Sequence, residues 1–262
     1  MKPSIFALSL VAACVTTLAS ERAPVALRVL TYNIHHGEGT DGNIDLARTA
    51  EVIRGADADL VALQEVDRET MRTGEVDQLS ELERLTGMRG VFGKAMDFQG
   101  GAYGVAILSR LPVASVDNMP LPGAPEREPR TALSVDVATR SGLRVRFTST
   151  HLDQGREIES RTAQVHFLAE TMSRADTPSI LAGDFNSTAD TDIIATVRSA
   201  WTDLFTAPLP VGPDGLPRRR VDYVFGRPGS AWQTLDSAVI DDRVASDHRP
   251  VMVTLQWRGE TP

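Results

Sequence analysis

The stretch from Val25 to Asp67 constrains the fold more than any other. Leu27, Val29, Leu30 and Ile34 mark an apolar strand over Val25–Ile34, closed by the polar cluster Thr31-Tyr32-Asn33-Ile34-His35-His36-Gly37. Ile44, Ala47, Ala50, Val52 and Ile53 then recur at helical spacing across Asn43–Ala56, with Asp41 or Asn43 as the cap. Asp59–Asp67 follows as a second buried strand, with Glu65 near its far end. Strand, helix, strand in this length predicts a right-handed parallel crossover, which brings both strand ends to one edge of a sheet. Asn33 and Glu65 are therefore expected side by side.

The same pattern returns later. Leu143–Thr150 alternates as a strand and ends at Thr150-His151-Leu152-Asp153. A helix is predicted over Glu157–Ser173, with Ile158, Ala163, Phe167 and Leu168 facing inward, and Ser179–Ala182 is an apolar run ending at Gly183-Asp184-Phe185-Asn186-Ser187. Between the two units, Gln78–Thr86 reads as a helix, Arg89–Asp97 as extended, and Gly100–Arg110 as a turn entering a strand. Leu111-Pro112-Val113 opens another extended piece. Met119–Arg130 is dense in proline and charge and reads as a surface loop; Leu133, Val135 and Val137 alternate as a strand. Further on come a short helix over Asp190–Ser199, a Pro/Gly-rich loop over Asp203–Arg220, strands over Arg220–Phe225 and Trp232–Ile240, and Ala245–Pro250 feeding a last strand, Val251–Trp257. No linker or low-complexity segment interrupts this order, so residues 22–262 read as one domain of two similar halves.

Residues 1–21 read as an export signal. One lysine precedes the apolar run Ile5–Ala13, which is too short to span a bilayer. Small residues directly before Cys14, the only cysteine, resemble the lipobox of bacterial lipoproteins. Cleavage near Thr17-Leu18-Ala19 is the alternative and gives a soluble exported protein, periplasmic or secreted. The formal net charge is −8 and the longest basic run is Arg218-Arg219-Arg220. A dedicated nucleic-acid binder usually shows a basic footprint, so this balance counts against one.

Taken singly, the polar residues at strand ends have structural readings: Asn33 as a turn residue, Glu65 as a loop start, His151 as a core histidine, Asp247-His248 as a cap. Asp184-x-Asn186 fits backbone capping, although oxygens on a rigid strand end also suit a hard cation and a polarised water. Asp222 inside an apolar strand is costly unless paired. Together, Thr31-Tyr32-Asn33, Leu63-Gln64-Glu65-Val66, Gly104–Arg110, Thr150-His151-Leu152, Gly183–Ser187, Val221–Val224 and Ser246–Pro250 resemble, in order, the motifs of the endonuclease/exonuclease/phosphatase family.

The resemblance implies an α/β fold, a four-layer sandwich of two mixed β-sheets packed face to face with helices outside. It implies hydrolysis of a phosphate ester with Mg²⁺, for which Mn²⁺ can substitute. By motif, Glu65 is the principal metal ligand, with Asn33 and Asp247 nearby. Asp184 aligns or deprotonates the attacking water, Asn186 and His151 bond phosphoryl oxygens, and Asp222 orients His248 toward the developing charge. Arg130 is either a phosphate clamp or an exposed loop arginine. Lys94 and Tyr103 are placed at the pocket rim, and His35 and His36 are read as local structure or rim. With one cysteine and no dense histidine cluster, the sequence argues against a dedicated zinc site. Abasic-site endonucleases carry asparagine at the position of His151, which disfavours DNA repair. The expectation is an exported monomeric phosphodiesterase acting on a small or lipid-linked ester, touching membrane only through a lipid anchor. The rivals are a secreted nonspecific nuclease, a sugar or inositol phosphate monoesterase, and a non-catalytic binding module.

Overall fold

The structure, a computed structural model, describes residues 26–172, 177–210 and 219–259. The export signal with Cys14, and the middle of the Asp203–Arg220 loop, lie outside the described residues. Two six-stranded mixed sheets form the centre. In the first, β1 (Leu27–Asn33) and β2 (Leu60–Arg68) are the parallel pair. β3 (Arg89–Phe98), β4 (Gly101–Ser109), β11 (Trp232–Val239) and β12 (Val251–Trp257) complete it in the order β11-β12-β1-β2-β4-β3. In the second, β7 (Arg144–His151) and β8 (Ser179–Asp184) are parallel. β5 (Val113–Pro120), β6 (Thr131–Ala138), β9 (Thr202–Asp203) and β10 (Asp222–Arg227) complete the order β5-β6-β7-β8-β10-β9.

The halves superpose in logic. Each parallel pair is joined through a helix, flanked by antiparallel strands on both sides, and ends in the polar residues of interest. Asn33 ends β1 as His151 ends β7; Glu65 lies near the end of β2 as Asp184 ends β8. The neighbouring antiparallel strands start at the same edge, which adds Asp222 opposite Asp184 and Tyr103 opposite Asp67.

Alternation along the strands fixes the layers. Val29, Leu60, Ala62 and Ile107 of the first sheet meet Leu133, Phe147, Ile180 and Val224 of the second in one buried cluster. The opposite faces, with Leu30, Tyr32 and Leu63, pack under α1 (Leu46–Ala56) and α2 (Gln78–Thr86). Phe185, Tyr223 and Phe225 pack under α3 (Glu159–Met172) and α4 (Asp192–Ala200). The result is the expected four-layer sandwich. Asp45, rather than Asp41 or Asn43, caps α1 by accepting from the Arg48 amide. On α3 the buried side is Ser160, Gln164, Val165, Leu168 and Met172, whereas Ile158 is half exposed. The polar members have a reason to be inside: Gln164 Oε1 accepts from the Asp153 amide at 2.9 Å and so anchors the loop after His151.

Two backbone features set the site edge. The register of β2 against β4 slips between Leu63 and Val66, a bulge whose extra residue places Glu65 at φ 57°. Regular pleating would turn Glu65 to the helix side with Leu63; the bulge gives that side to Val66 and re-aims the carboxylate. In β8, Gly183 has φ 155°, and a Cβ there would lie 1.9 Å from the Thr150 carbonyl oxygen. Only glycine lets β8 approach β7 closely enough to bring Asp184 level with His151.

Candidate active site

The core between the sheets becomes polar toward this edge. Thr31 Oγ1 donates to Gln64 Oε1 at 3.3 Å, Gln64 Nε2 to Ser149 Oγ at 3.2 Å, and Ser149 Oγ to the Leu63 carbonyl at 3.2 Å. These bonds tie the two parallel pairs together just beneath the site. Above them, Asn33 Nδ2 donates to Glu65 Oε1 at 3.0 Å and to Asp184 Oδ2 at 3.2 Å. One buried carboxamide thus joins the acids of both sheets, and the adjacency of Asn33 and Glu65 expected from the crossover is present. Ser246 Oγ donates to the Asn33 carbonyl at 2.8 Å and accepts from the His248 amide at 3.1 Å, which fixes Asp247 and His248 beside the end of β1.

Asp184 is almost fully buried. Its Oδ1 accepts from the Asn186 amide at 2.8 Å, and Asn186 takes φ 48°, a left-handed conformation that asparagine tolerates. Phe185 between them sits edge-on to Tyr223 and Phe225, so the turn is anchored from below. Burial raises the Asp184 carboxyl, and the like charge of Asp222 adds to it. His248 lies between the two acids, with Nδ1 at 2.9 Å from Asp222 Oδ2 and Nε2 at 3.6 Å from Asp184 Oδ2. Burial opposes its charge, but the hydrogen bond and charge of Asp222, with Asp184 and Asp247, outweigh this and push the imidazolium up to about 10. Asp222 Oδ1 is buried with no hydrogen-bond partner among the described residues.

His151 is the opposite case. Burial, then the positive charges of Arg130 and His248, hold it well below the usual histidine range. Arg130 Nη1 approaches His151 Nδ1 at 2.9 Å as a donor, while Nε2 faces the Asn186 carboxamide nitrogen at 3.0 Å and Asp184 Oδ2 at 3.5 Å. Asn186 Nδ2 reaches the same ring and also donates to the Leu152 carbonyl at 3.0 Å.

Of the residues picked out by motif, Asn33, Glu65, His151, Asp184, Asn186, Asp222, Asp247 and His248 converge on this edge. Arg130 is 4% exposed, so it is no loop-surface arginine; the Pro-dense segment turns inward at its end. Tyr103 is buried and lines a cleft of about 260 Å³ with Glu65, Asp247, His35, Arg72 and Phe98. Lys94 is not brought to the cleft. Its side chain is half exposed and its ammonium lies 2.5 Å from Asp97. Sequence reasoning missed Arg72, which places its guanidinium 4.8 Å from the Phe98 ring while bonding Asp67 at 2.6 and 2.8 Å. It also underrated His35 and His36, whose ring nitrogens gather with Glu65. The adjacent His-His pair was the available signal.

Carboxylates, carboxamides and two imidazoles of opposite protonation, gathered on the edge of a four-layer α/β sandwich, define a phosphoesterase fold. The sequence profile of the Endonuclease/Exonuclease/phosphatase family matches residues 30–248. The chain belongs to that family of phosphoester hydrolases. An endonuclease/exonuclease/phosphatase from Beutenbergia cavernae is similar at TM-score 0.76 and 26% identity, covering 89% of this chain and 72% of the other. A mannosyl-6-phosphatase of Bacteroides thetaiotaomicron gives TM-score 0.71 at 19% identity, over 88% of this chain and 100% of the other. The human Nocturnin catalytic domain, with bound sulfate, gives 0.68 at 18% identity, over 90% and 96%. A search among curated proteins returned no match.

Proposed function

We propose that this chain is an exported, Mg²⁺-dependent phosphodiesterase that hydrolyses a small or lipid-linked phosphate ester by in-line attack of water. The observation that carries the reading is the single hydrogen-bonded chain Glu65–Asn33–Asp184, continued at 3.6 Å to His248 and at 2.9 Å to Asp222. A binding scaffold has no use for a buried acid and an imidazolium held together in this order.

The donor set fits a hard cation. Glu65 Oε1 is engaged only by Asn33 among the described residues, and Asp247 lines the same cleft, so the carboxylates of Glu65 and Asp247 would hold Mg²⁺ or Mn²⁺, with Asn33 adjoining them, its Oδ1 accepting from the His35 amide at 3.1 Å. When bound, the cation neutralises charge on the phosphoryl group. The chain's own residues do the rest. Asp184, held by Asn33 and the Asn186 amide, takes the proton of the attacking water as the new P–O bond forms and the bond to the leaving oxygen breaks. His248, oriented by Asp222, directs its Nε2–H at the charge that develops. His151, neutral and held between Arg130 and Asn186, lines the phosphoryl position beside Asp184. Catalysis here is positioning and preorganised charge, as phosphoryl transfer requires.

Charge balance favours a diester. Glu65, Asp184, Asp222, Asp247 and Glu128 surround the edge against Arg130 and His248, since Arg72 is already paired with Asp67, and one divalent cation leaves room for a single substrate charge more readily than for two. Phe98, Met96 and Tyr103 give the cleft an apolar side suited to a leaving group rather than to a second phosphate. The export assignment rests on residues 1–21; palmitate incorporation lost in Cys14→Ser would favour the lipid-anchored form over the soluble one.

The test is a panel of bis-p-nitrophenyl phosphate, p-nitrophenyl phosphate, plasmid DNA and sphingomyelin, each with Mg²⁺ or EDTA. Faster turnover of the small diester than of the monoester, abolished by EDTA, is expected. Plasmid cleavage far exceeding the small diester would make the chain a nuclease, and inertness toward all four would leave a binding module.

A further inference from the structure

The turn after β1 holds two histidines in an arrangement the hydrolytic reading does not use. His35 and His36 have φ of 48° and 43°, in the left-handed region that few non-glycine residues occupy, and Glu65 across from them has φ 57°. The turn is pinned from outside: Gln78 Nε2 donates to the His36 carbonyl at 2.7 Å, and the Asp45 amide donates to Gly37 at 2.9 Å. The rings meet edge-on with centroids 4.5 Å apart.

One residue sets both tautomers. His35 Nδ1 lies 3.2 Å from the Glu38 carbonyl, which only accepts, so the proton is on Nδ1 and Nε2 keeps its lone pair. His36 Nε2 lies 3.3 Å from the Glu38 carboxylate, so the proton is on Nε2 and Nδ1 keeps its lone pair. That Nδ1 is buried and has no hydrogen-bond partner among the described residues. A ring that gives one N–H to a carbonyl or carboxylate and leaves the other nitrogen bare is the usual state of a metal-bound histidine. One ligand atom from each of His35, His36 and Glu65 lies within 4.8 Å of the others.

We propose that His35, His36 and Glu65 bind a first-row transition ion of the Zn²⁺ or Co²⁺ kind, beside the oxygen set of Glu65 and Asp247. Two imidazoles and one carboxylate suit such ions and do not suit Mg²⁺, which prefers oxygen donors and retained water. Glu65 is shared, so the second ion sits at the wall of the substrate cleft that His35 lines.

The experiment uses the full chain without an oligohistidine tag, stripped by chelator and held in excess Mg²⁺. Co²⁺ is added, with visible absorption and calorimetry as readouts, followed by Zn²⁺ displacement. One Co²⁺ per chain is expected to bind despite the Mg²⁺, with nitrogen-type absorption. His35→Gln, at a partly exposed position, and His36→Gln are each expected to weaken it by at least about tenfold. No Co²⁺ binding in excess Mg²⁺ overturns the site. So does binding in His35→Gln within about twofold of the parent, since the ion would then belong to Asp184, Asp222 and His248, the other cluster with metal-ligand spacing. Because the readout is binding, a chain inactive on every phosphate ester still decides the question.

Discussion

Replacing Asp222 with asparagine isolates what that carboxylate does for His248. The bond from His248 Nδ1 to Asp222 Oδ2 is 2.9 Å and charge-assisted. A hydrogen bond to a charged group contributes about 1.5–3 kcal/mol. If Asp222 acts only through His248, that loss falls on the transition state, and at about 1.4 kcal/mol per decade it lowers kcat roughly 10- to 150-fold. His248→Asn removes the donor itself and should cost about 10²–10⁴-fold, the usual range for a positioned proton donor. The double variant should then match His248→Asn within about threefold, because the carboxylate has nothing left to orient. Initial rates on bis-p-nitrophenyl phosphate with Mg²⁺ supply kcat and KM for the four proteins, and thermal midpoints check the fold. Little thermal change is expected for Asp222→Asn, since it removes a buried charge whose Oδ1 had no partner. Multiplicative losses in the double variant, or Asp222→Asn within twofold of the parent, would refute the orienting role.

Two further predictions concern the scaffold. Gly183→Ala drives a Cβ to 1.9 Å from the Thr150 carbonyl and must push β8 away from β7, so urea unfolding should show a loss at or above the usual overpacking range of about 1–3 kcal/mol; less than about 0.5 kcal/mol would mean the strands are not that close. Asp136 is held below the usual carboxylate range by Arg146, whose Nε and Nη2 bond it at 2.9 and 3.0 Å, with burial opposing and Ser115 adding a third bond. A carboxyl lowered by folding contributes stability above its unfolded value and loses it as pH falls through the folded one. Asp136→Asn should therefore cost about 1 kcal/mol at neutral pH, and the difference from the parent should shrink below about pH 4. A gap that stays constant from pH 7 to pH 3 would rule out that pair as its source.

Much of the site was legible because strand ends are a one-dimensional property. Apolar runs broken by Asn33, Glu65, His151, Asp184 and Asp222 announce where each strand leaves the core, and the crossover rule alone placed Asn33 beside Glu65. α2 needed no more than Leu79, Leu82 and Leu85 between Asp77 and Gly87, which cap its two ends. What stayed hidden depends on contacts far apart in sequence. No local pattern says that the Leu63–Val66 register slips against β4, yet that bulge decides where the Glu65 carboxylate points. Arg130 closes a proline-rich, charged segment and reads equally as a phosphate clamp or as surface, and only the start of β6 at Thr131, which carries it in against His151, decides between them. Lys94 shares strand β3 with Met96 and Phe98, which reach the cleft, and a register shift between Lys94 and Met96 separates them. Gln164 and Ser160 masked the inner face of α3, since they are buried for hydrogen bonding rather than for apolar contact.

The central claim is that Glu65 holds the cation on which hydrolysis depends. The most direct measurement is the rate of bis-p-nitrophenyl phosphate hydrolysis by the parent and by Glu65→Gln, each in saturating Mg²⁺ and in EDTA. The account predicts that EDTA abolishes the parent's activity, that Mg²⁺ restores it, and that Glu65→Gln in Mg²⁺ falls by at least about a hundredfold with its thermal midpoint retained. A parent that turns over equally well in EDTA, or a Glu65→Gln variant within a few-fold of the parent in Mg²⁺, would contradict it.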